Sequence, residues 1–261
     1  MTERKPIWAN AVAYEGYVGR WSKLVAAEFL DRLEVPTSTR WLDLGCGTGA
    51  LSAEVARRGA RDVCGLDPSE GFVRYAAARV PGRFTVGDAQ RLPFRDGTFG
   101  VVVSALVLNF IPDLTAALAE VRRVLRVKGL AAAYVWDYAG EMQLMRRFWD
   151  AVVVIDPNAA GLAETLRSPI CRPEALERAF EEAGLSSITT WPIDVPTRLR
   201  DFDDYWLPFL AGAGPAPRFV AGLDEERRTA LRDRLRASLP AAADGSIDLI
   251  ARAWAVRAVR A

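Results

Sequence analysis

Histidine is absent from this chain of 261 residues, and cysteine occurs only three times. Without imidazole, neither a Ser-His-Asp nor a Cys-His mechanism is open to it, and the commonest zinc ligand is missing. Cys46, Cys64 and Cys171 are scattered, with no CxxC pair. An odd count without metal-ligand spacing reads as reduced thiols in a cytosolic protein with no metal site. Neither sign of charge is in excess: 34 Lys and Arg stand against 33 Asp and Glu, a formal +1. Nucleic-acid binders show a clear basic excess, so no nucleic-acid partner is expected. No apolar run approaches the roughly 18 residues of a membrane span. The stretch MTERKPIWANAVAYEGY has charges and polar breaks where a secretory signal has an apolar core, and a cytoplasmic location is expected. No internal repeat or low-complexity segment is found.

What is present is a strand–helix alternation. Residues 40–44 (RWLDL), 62–67 (DVCGLD), 83–88 (RFTVGD), 99–105 (FGVVVSA) and 129–136 (GLAAAYVW) read as strands. The fourth is continuously apolar, as in a strand buried on both faces. Between them, 50–58 reads as a helix closed by Gly59. Ser69 caps another that carries Phe72, Val73, Ala76 and Val80. A third starts at Asp113 or Thr115, with Leu118, Val121 and Leu125 on one face, and ends at Gly129. This rhythm implies a parallel sheet with helices on both sides. The second half departs from it. Residues 141–155 form a helix with two apolar stripes, Leu144, Phe148, Ala151 and Ile155 beside Met145, Trp149 and Val152. A shorter helix spans 173–183. Residues 187–195 suit an edge strand because of Pro192. The segment 201–240 is an insertion of an aromatic cluster, a Gly/Pro-rich turn and a charged helix near 224–237, whose acids lead and arginines follow. Residues 247–259 close the chain as a strand.

The chemistry concentrates in Asp43-Leu44-Gly45-Cys46-Gly47-Thr48-Gly49, at the junction of the first strand and first helix. Alternating glycines let a ligand approach the backbone, and a helix opening there presents amides to phosphate or another polar group. Asp67 ends the second strand, 22 residues after Gly45, where a carboxylate can accept bonds from two ribose hydroxyls. Asp88 ends the third, followed by Ala89; its carboxylate can take an adenine amino proton while a nearby amide addresses a ring nitrogen. In a doubly wound sheet these strand ends converge on one crevice. Each Asp taken singly is equally a cap or turn residue.

The motifs LDLGCGTG (42–49), GLDPS (65–69), GDAQRLPF (87–94) and VVVSALVLNFIPD (101–113) together resemble the class I S-adenosylmethionine-dependent methyltransferases, in the small-molecule branch that includes quinone-biosynthesis enzymes. The resemblance covers residues 38–137. It implies an α/β, Rossmann-like αβα sandwich with a seven-stranded, mostly parallel sheet, an antiparallel last strand (247–259, with 187–195 before it) and helical lid insertions. It implies that Gly45, Gly47, Thr48 and Gly49 lie against the methionine moiety, that Asp67 holds the ribose, and that Asp88 and Ala89 hold the adenine. Ser104 matches a cofactor-lining position, and Asp43 would help bind the methionyl ammonium, directly or through water. A nicotinamide cofactor fits less well, because GxGxG is followed by Ala50-Leu51 without GxxG spacing. Relatives often carry His after the fourth strand; here the stretch is Val107-Leu108-Asn109-Phe110. A His base is therefore in doubt, and an ionised acceptor, an amine, or a base from Asp or Tyr stays open. No catalytic residue is assigned.

One methyltransferase domain over 1–261 is expected, with an N-terminal helical lid segment (1–37), a cofactor-binding core (38–137) and an acceptor-side half (138–261). By resemblance the lid segment folds over the pocket, so Tyr17 and Trp21, four apart on one helical face, either touch the sulfonium or dock the helix to the core. Tyr205, Trp206 and Phe209, with Met142, Met145 and Trp149, either wall an acceptor pocket or pack the core. With Asn109, these are the candidate acceptor contacts, and they imply a small apolar or aromatic acceptor. The function expected is methyl transfer to a small molecule by in-line displacement. The alternative is an inactive S-adenosylmethionine-binding regulatory module. A nucleic-acid methyltransferase is disfavoured by the neutral charge and by the missing Asn-Pro-Pro-aromatic motif.

Overall fold

The computed structural model describes residues 15–210 and 214–261. The first fourteen residues of the expected lid segment and residues 211–213 of the Gly/Pro-rich turn lie outside the described residues. The strands are β1 (Trp41–Leu44), β2 (Val63–Asp67), β3 (Arg83–Val86), β4 (Phe99–Ala105), β5 (Leu125–Trp136), β6 (Ser186–Leu199) and β7 (Ile247–Val259). They form one sheet in the order β3-β2-β1-β4-β5-β7-β6. β1 to β5 pair in parallel, and β7 runs antiparallel between β5 and β6. β4 is buried along almost its whole length, as its unbroken apolar run requires. β6 is an edge strand, which is where Pro192 and Pro196 cost no ladder bond of an interior strand.

The helices are α1 (Arg20–Leu33), entered through a π-helical turn at Glu15–Gly19, α2 (Ala50–Arg57), α3 (Glu70–Ala77), α4 (Leu114–Val124), α5 (Gln143–Ile155), the short α6 (Glu164–Arg167), α7 (Pro173–Glu182), α8 (Phe202–Leu210), α9 (Pro215–Ala221) and α10 (Glu225–Ser238). Their starts follow side-chain chemistry. The Ser69 hydroxyl accepts from Phe72 N at 3.4 Å, Asp113 from Ala116 N at 2.9 Å, and Asp224 from Arg227 N at 2.8 Å. α1 packs on α2, β6 and β7, where Phe29 meets Tyr134 edge-on and stacks on Trp191. α4 packs on β5 and α7.

One expectation is corrected. The helix placed up to Gly129 stops at Val124, and β5 starts at once with Leu125. Leu125 is fully buried and pairs with Phe99 in the sheet, so tertiary burial captures a side chain that also fits the helical stripe. Gly129 lies inside β5, where its carbonyl accepts from Arg260 N at 2.9 Å. The described part of the insertion between β6 and β7 is built of α8, α9 and α10, followed by a turn at residues 242–245 that leads into β7. Its aromatic residues Tyr205, Trp206 and Phe209 are buried, with Phe209 stacked on Phe148 of α5 at 4.4 Å between centroids.

Candidate active site

Strand order reverses between β1 and β4, and in open α/β sheets the carboxyl ends of the strands at that point flank a binding crevice. A cavity of about 900 Å³ opens there. That lies near the top of the roughly 300–1,000 Å³ range of ligand sites, enough for more than one small molecule. Gly45, Cys46, Gly47 and Thr48 line it after β1; Asp67, Pro68 and Ser69 after β2; and Asp88 and Ala89 after β3. Ala105 ends β4, with Leu106, Val107 and Phe110 after it, and Trp136 ends β5, with Tyr138 after it. Val18, Ser22, Met145 and Arg218 enter from the helices.

Asp67 organises the loop end. Its two carboxylate oxygens accept from Gly47 N at 3.0 Å and Ser69 N at 2.8 Å, tying the glycine loop to the start of α3. The side chain is 7% exposed, and burial raises its pKa against the pull of those two amides. Gly45 and Cys46 both donate to Leu66 O, at 2.7 and 3.0 Å, which closes the turn against β2. Gly45 has φ +72°, and a Cβ there would meet both Val107 methyls at 2.5 Å. Gly47 has φ +51°, but a Cβ there would meet no atom within 4 Å; it faces open space. The Cys46 thiol is pushed up in pKa by burial and by Asp43 and Asp67, so it is a closely packed neutral group and not a nucleophile.

Of the other expected cofactor residues, Thr48, Asp88 and Ala89 line the cavity. Asp88 is exposed and held ionised by Gln90, whose side-chain amide and backbone N–H donate to it at 3.0 and 2.9 Å. Asp43 lies behind the lining: one oxygen accepts from Ser52 N and Oγ at 3.1 and 2.6 Å, and Oδ1 is buried with no hydrogen bond. Burial lifts its pKa to about 7. Gly49 also stands back, and its Cβ would press on Ala76 of α3 and on Val80 just beyond it, so it serves packing against α3 and the chain that follows. Ser104 is turned into the sheet, donating to Leu44 O at 2.8 Å.

The expected acceptor contacts are placed differently from the lining. Tyr17 is fully buried, donates to Met145 Sδ at 2.9 Å and meets Phe209 edge-on. Trp21 is buried beneath the Arg20 guanidinium, 4.4 Å from its ring centre. Trp149 and Trp206 are 5% exposed and packed among Phe148, Phe209, Phe219 and Phe202. Asn109 sits between Val107 and Phe110, with Nδ2 buried and unbonded. None of these five side chains lines the cavity; Met145 does. Trp206→Ala is therefore expected to act on the fold, lowering stability by about 3–5 kcal/mol in denaturant titration. A variant of unchanged stability would contradict that packing role.

Sequence reasoning missed Val18, Ser22, Leu106, Trp136, Tyr138 and Arg218. Leu106 carries φ +61°, in the left-handed region that a branched side chain avoids, at the end of β4 and facing the cavity. Tyr138 is presented by a turn that Asp137 builds, accepting from Gly140 N at 2.9 Å and Glu141 N at 3.0 Å. The turn was legible in VWDYAG; its direction was not.

A further buried acid, in addition to Asp43 and Asp137, lies outside the cavity lining. Glu164 is 3% exposed, and neither carboxyl oxygen is hydrogen-bonded. Burial lifts its pKa to about 7, with the Trp149 indole nearby partly opposing the shift. A carboxyl raised by folding is favoured in its neutral form. The stability this gives is present below the unfolded pKa near 4.5 and is lost as pH rises through about 7. Glu164→Gln should therefore add about 2–3 kcal/mol at about pH 8 and little at about pH 4.5, read from urea titrations at both values. Equal effects at the two pH values would contradict a neutral Glu164.

The site fits the cofactor that the resemblance implies. A buried carboxylate, Asp67, is aimed into the cavity; Asp43 Oδ1 is an orphaned acceptor behind the glycine loop; and the Cβ space of Gly47 is empty. Fold and cavity thus define an α/β protein with an open crevice at its switch point, lined by a glycine loop and by acids after β2 and β3. A sequence model of the family described as "Methyltransferase domain" matches residues 42–133. The chain is 30% identical over 170 residues to a demethylmenaquinone methyltransferase of Roseiflexus castenholzii, covering 59% of this chain and 71% of that one. It is 29% identical to a 2-methyl-6-phytyl-1,4-hydroquinone methyltransferase of Synechocystis, over 69% of this chain and 57% of the relative. The YcgJ protein of Bacillus subtilis has a crystal structure similar to this fold, with a TM-score of 0.60, 17% identity and coverage of 91% and 98%. Over several curated relatives the match spans only 28% to 57% of their length. The chain belongs to the class I S-adenosylmethionine-dependent methyltransferases. Among the described residues no helix is long and apolar enough to cross a membrane.

Proposed function

We propose that the chain transfers the methyl group of S-adenosylmethionine to a small organic acceptor of apolar or aromatic character. The observation that carries this is the cavity at the β1/β4 switch point, whose lining holds acids after β2 and β3 and the apolar side chains of Val18, Phe110, Ile111, Trp136 and Met145. When bound, the cofactor supplies a methyl group on a sulfonium whose departure leaves a neutral thioether. Asp67 accepts from the ribose hydroxyls, Asp88 and Ala89 address the adenine, and Gly45, Gly47 and Thr48 lie along the methionine moiety. Asp43, with its free oxygen behind the loop, attracts the ammonium, directly or through water. Gly49 and Ser104 shape the wall from behind. Held by these residues, the cofactor would give up its methyl carbon to an acceptor lone pair placed in line behind it, with sulfur keeping the electron pair of the broken bond. A proton on a neutral acceptor leaves to solvent or to a nearby base.

The chain's own work is alignment and exclusion of water. Holding two reactants in line is worth about 7–11 kcal/mol of a bimolecular barrier, and imidazole is not needed for it. The apolar wall and the relatives named for hydroquinone and menaquinone methylation make prenylated hydroquinones and other apolar phenols the first acceptors to try. The test is release of S-adenosylhomocysteine from S-adenosylmethionine on addition of such acceptors or of a small-molecule cell extract. Product formation supports the proposal. Binding of the cofactor with no turnover on any acceptor would support a regulatory module instead.

A further inference from the structure

Among the described residues, Arg218 is the one cationic side chain in the cavity lining. It is exposed, and among the described residues it makes no ion pair or hydrogen bond, whereas most arginines of the chain bond to a carboxylate or a carbonyl. Its backbone is fixed. Ala216, Pro217 and Val220 of α9 are buried, and Phe219 packs on Trp149 of α5 at 5.5 Å between ring centres. Position 218 is thus exposed on a helix anchored through its neighbours. The same cavity has carboxylates only after β2 and β3, at Asp67 and Asp88. α9 packs on α8 and α5, and α5 contributes Met145 to the apolar part of the lining.

Resting on the reading of this cavity as a cofactor-and-acceptor site, we propose that Arg218 anchors a carboxylate on the methyl acceptor, so that the substrate class is apolar or aromatic organic acids. Three features support it. An unpaired, exposed guanidinium in the lining of a largely apolar cavity is open to an incoming anion and is the positive charge that would meet it there. Its planar fork matches a carboxylate with two parallel hydrogen bonds. A cation in the same cavity as a sulfonium raises the electrostatic cost of binding both, and an anionic acceptor offsets that repulsion while drawing itself towards the methyl group. Arg218 is a specificity-determining residue in this account, and it takes no part in bond making.

The experiment measures binding to the full chain saturated with S-adenosylhomocysteine, by calorimetry. The probes are cinnamate, 4-hydroxycinnamate and decanoate, each paired with its neutral amide. At least one acid should bind about tenfold or more tightly than its amide, as expected for a charge-assisted hydrogen-bonded pair. Arg218→Gln should abolish that preference, and Arg218→Lys should keep part of it, with the affinity for S-adenosylhomocysteine unchanged in both. No acid preferred over its amide, or a preference that survives Arg218→Gln, overturns the proposal. Weakened S-adenosylhomocysteine binding in Arg218→Gln also overturns it, by assigning the side chain to the cofactor's own carboxylate. If the parent chain binds no S-adenosylhomocysteine, the underlying site reading fails first, a result distinct from the other three.

Discussion

Replacing Asp67 by Ala is expected to lower S-adenosylhomocysteine affinity by about 100- to 1,000-fold. A carboxylate accepting from two ribose hydroxyls makes two charge-assisted hydrogen bonds, each worth about 1.5–3 kcal/mol. Their sum is reduced by the cost of stripping water from a group already 7% exposed. Asp67 also holds Gly47 N and Ser69 N, so the variant loosens the loop that faces the ligand. Stability should change much less than affinity. Deleting the side chain loses two backbone contacts but also removes a carboxylate whose ionised form burial disfavours. Asp67→Asn keeps one acceptor oxygen and should fall between. Calorimetry measures the affinities and thermal unfolding the stabilities. Full-strength binding by Asp67→Ala would sink the ribose role.

Gly45→Ala and Gly47→Ala should separate folding from binding within one loop. At Gly45 the new methyl meets Val107 at 2.5 Å and the backbone has φ +72°. Overpacking adds about 1–3 kcal/mol to a left-handed penalty of about 1–2 kcal/mol. A loss of about 3 kcal/mol is expected in urea titration. Val107→Ala in the same chain should recover the overpacking part and leave the backbone part. At Gly47 the left-handed cost applies at φ +51°, but no protein atom lies within 4 Å of the new methyl. That variant should lose only about 1 kcal/mol of stability, while its methyl occupies cavity space and weakens S-adenosylhomocysteine binding at least about tenfold. Equal stability losses at the two positions would contradict the different surroundings of these glycines.

Much of the fold was legible because local chemistry and tertiary need agree. The apolar run at Phe99–Ala105 demands a central strand, Ser69, Asp113 and Asp224 mark helix starts, and Pro192 suits an edge. Where two structures accept the same residues, the sequence was ambiguous. Leu125 fits both the stripe of α4 and the first position of β5, and only its pairing with Phe99 decides. The same holds at the site. Asp67, Asp88 and the glycine loop stand out because strand ends converge. The aromatics of the insertion stand out equally, yet Trp206 and Tyr205 turn into the core, where the Tyr205 hydroxyl donates to Leu144 O at 3.0 Å. Arg218 and Tyr138 carried no motif, since their part in the cavity depends on how α9 and the Asp137 turn pack.

A crystal structure of the chain with S-adenosylhomocysteine tests the central claim most directly, that the cavity at the β1/β4 switch point is the cofactor site with room left for an acceptor. Ribose hydroxyls are expected within hydrogen-bond distance of Asp67, and adenine beside Asp88 and Ala89. The sulfur is expected to turn towards the space bounded by Trp136, Tyr138 and Met145. A ligand bound elsewhere, or one in the cavity with no hydroxyl on Asp67, would contradict it.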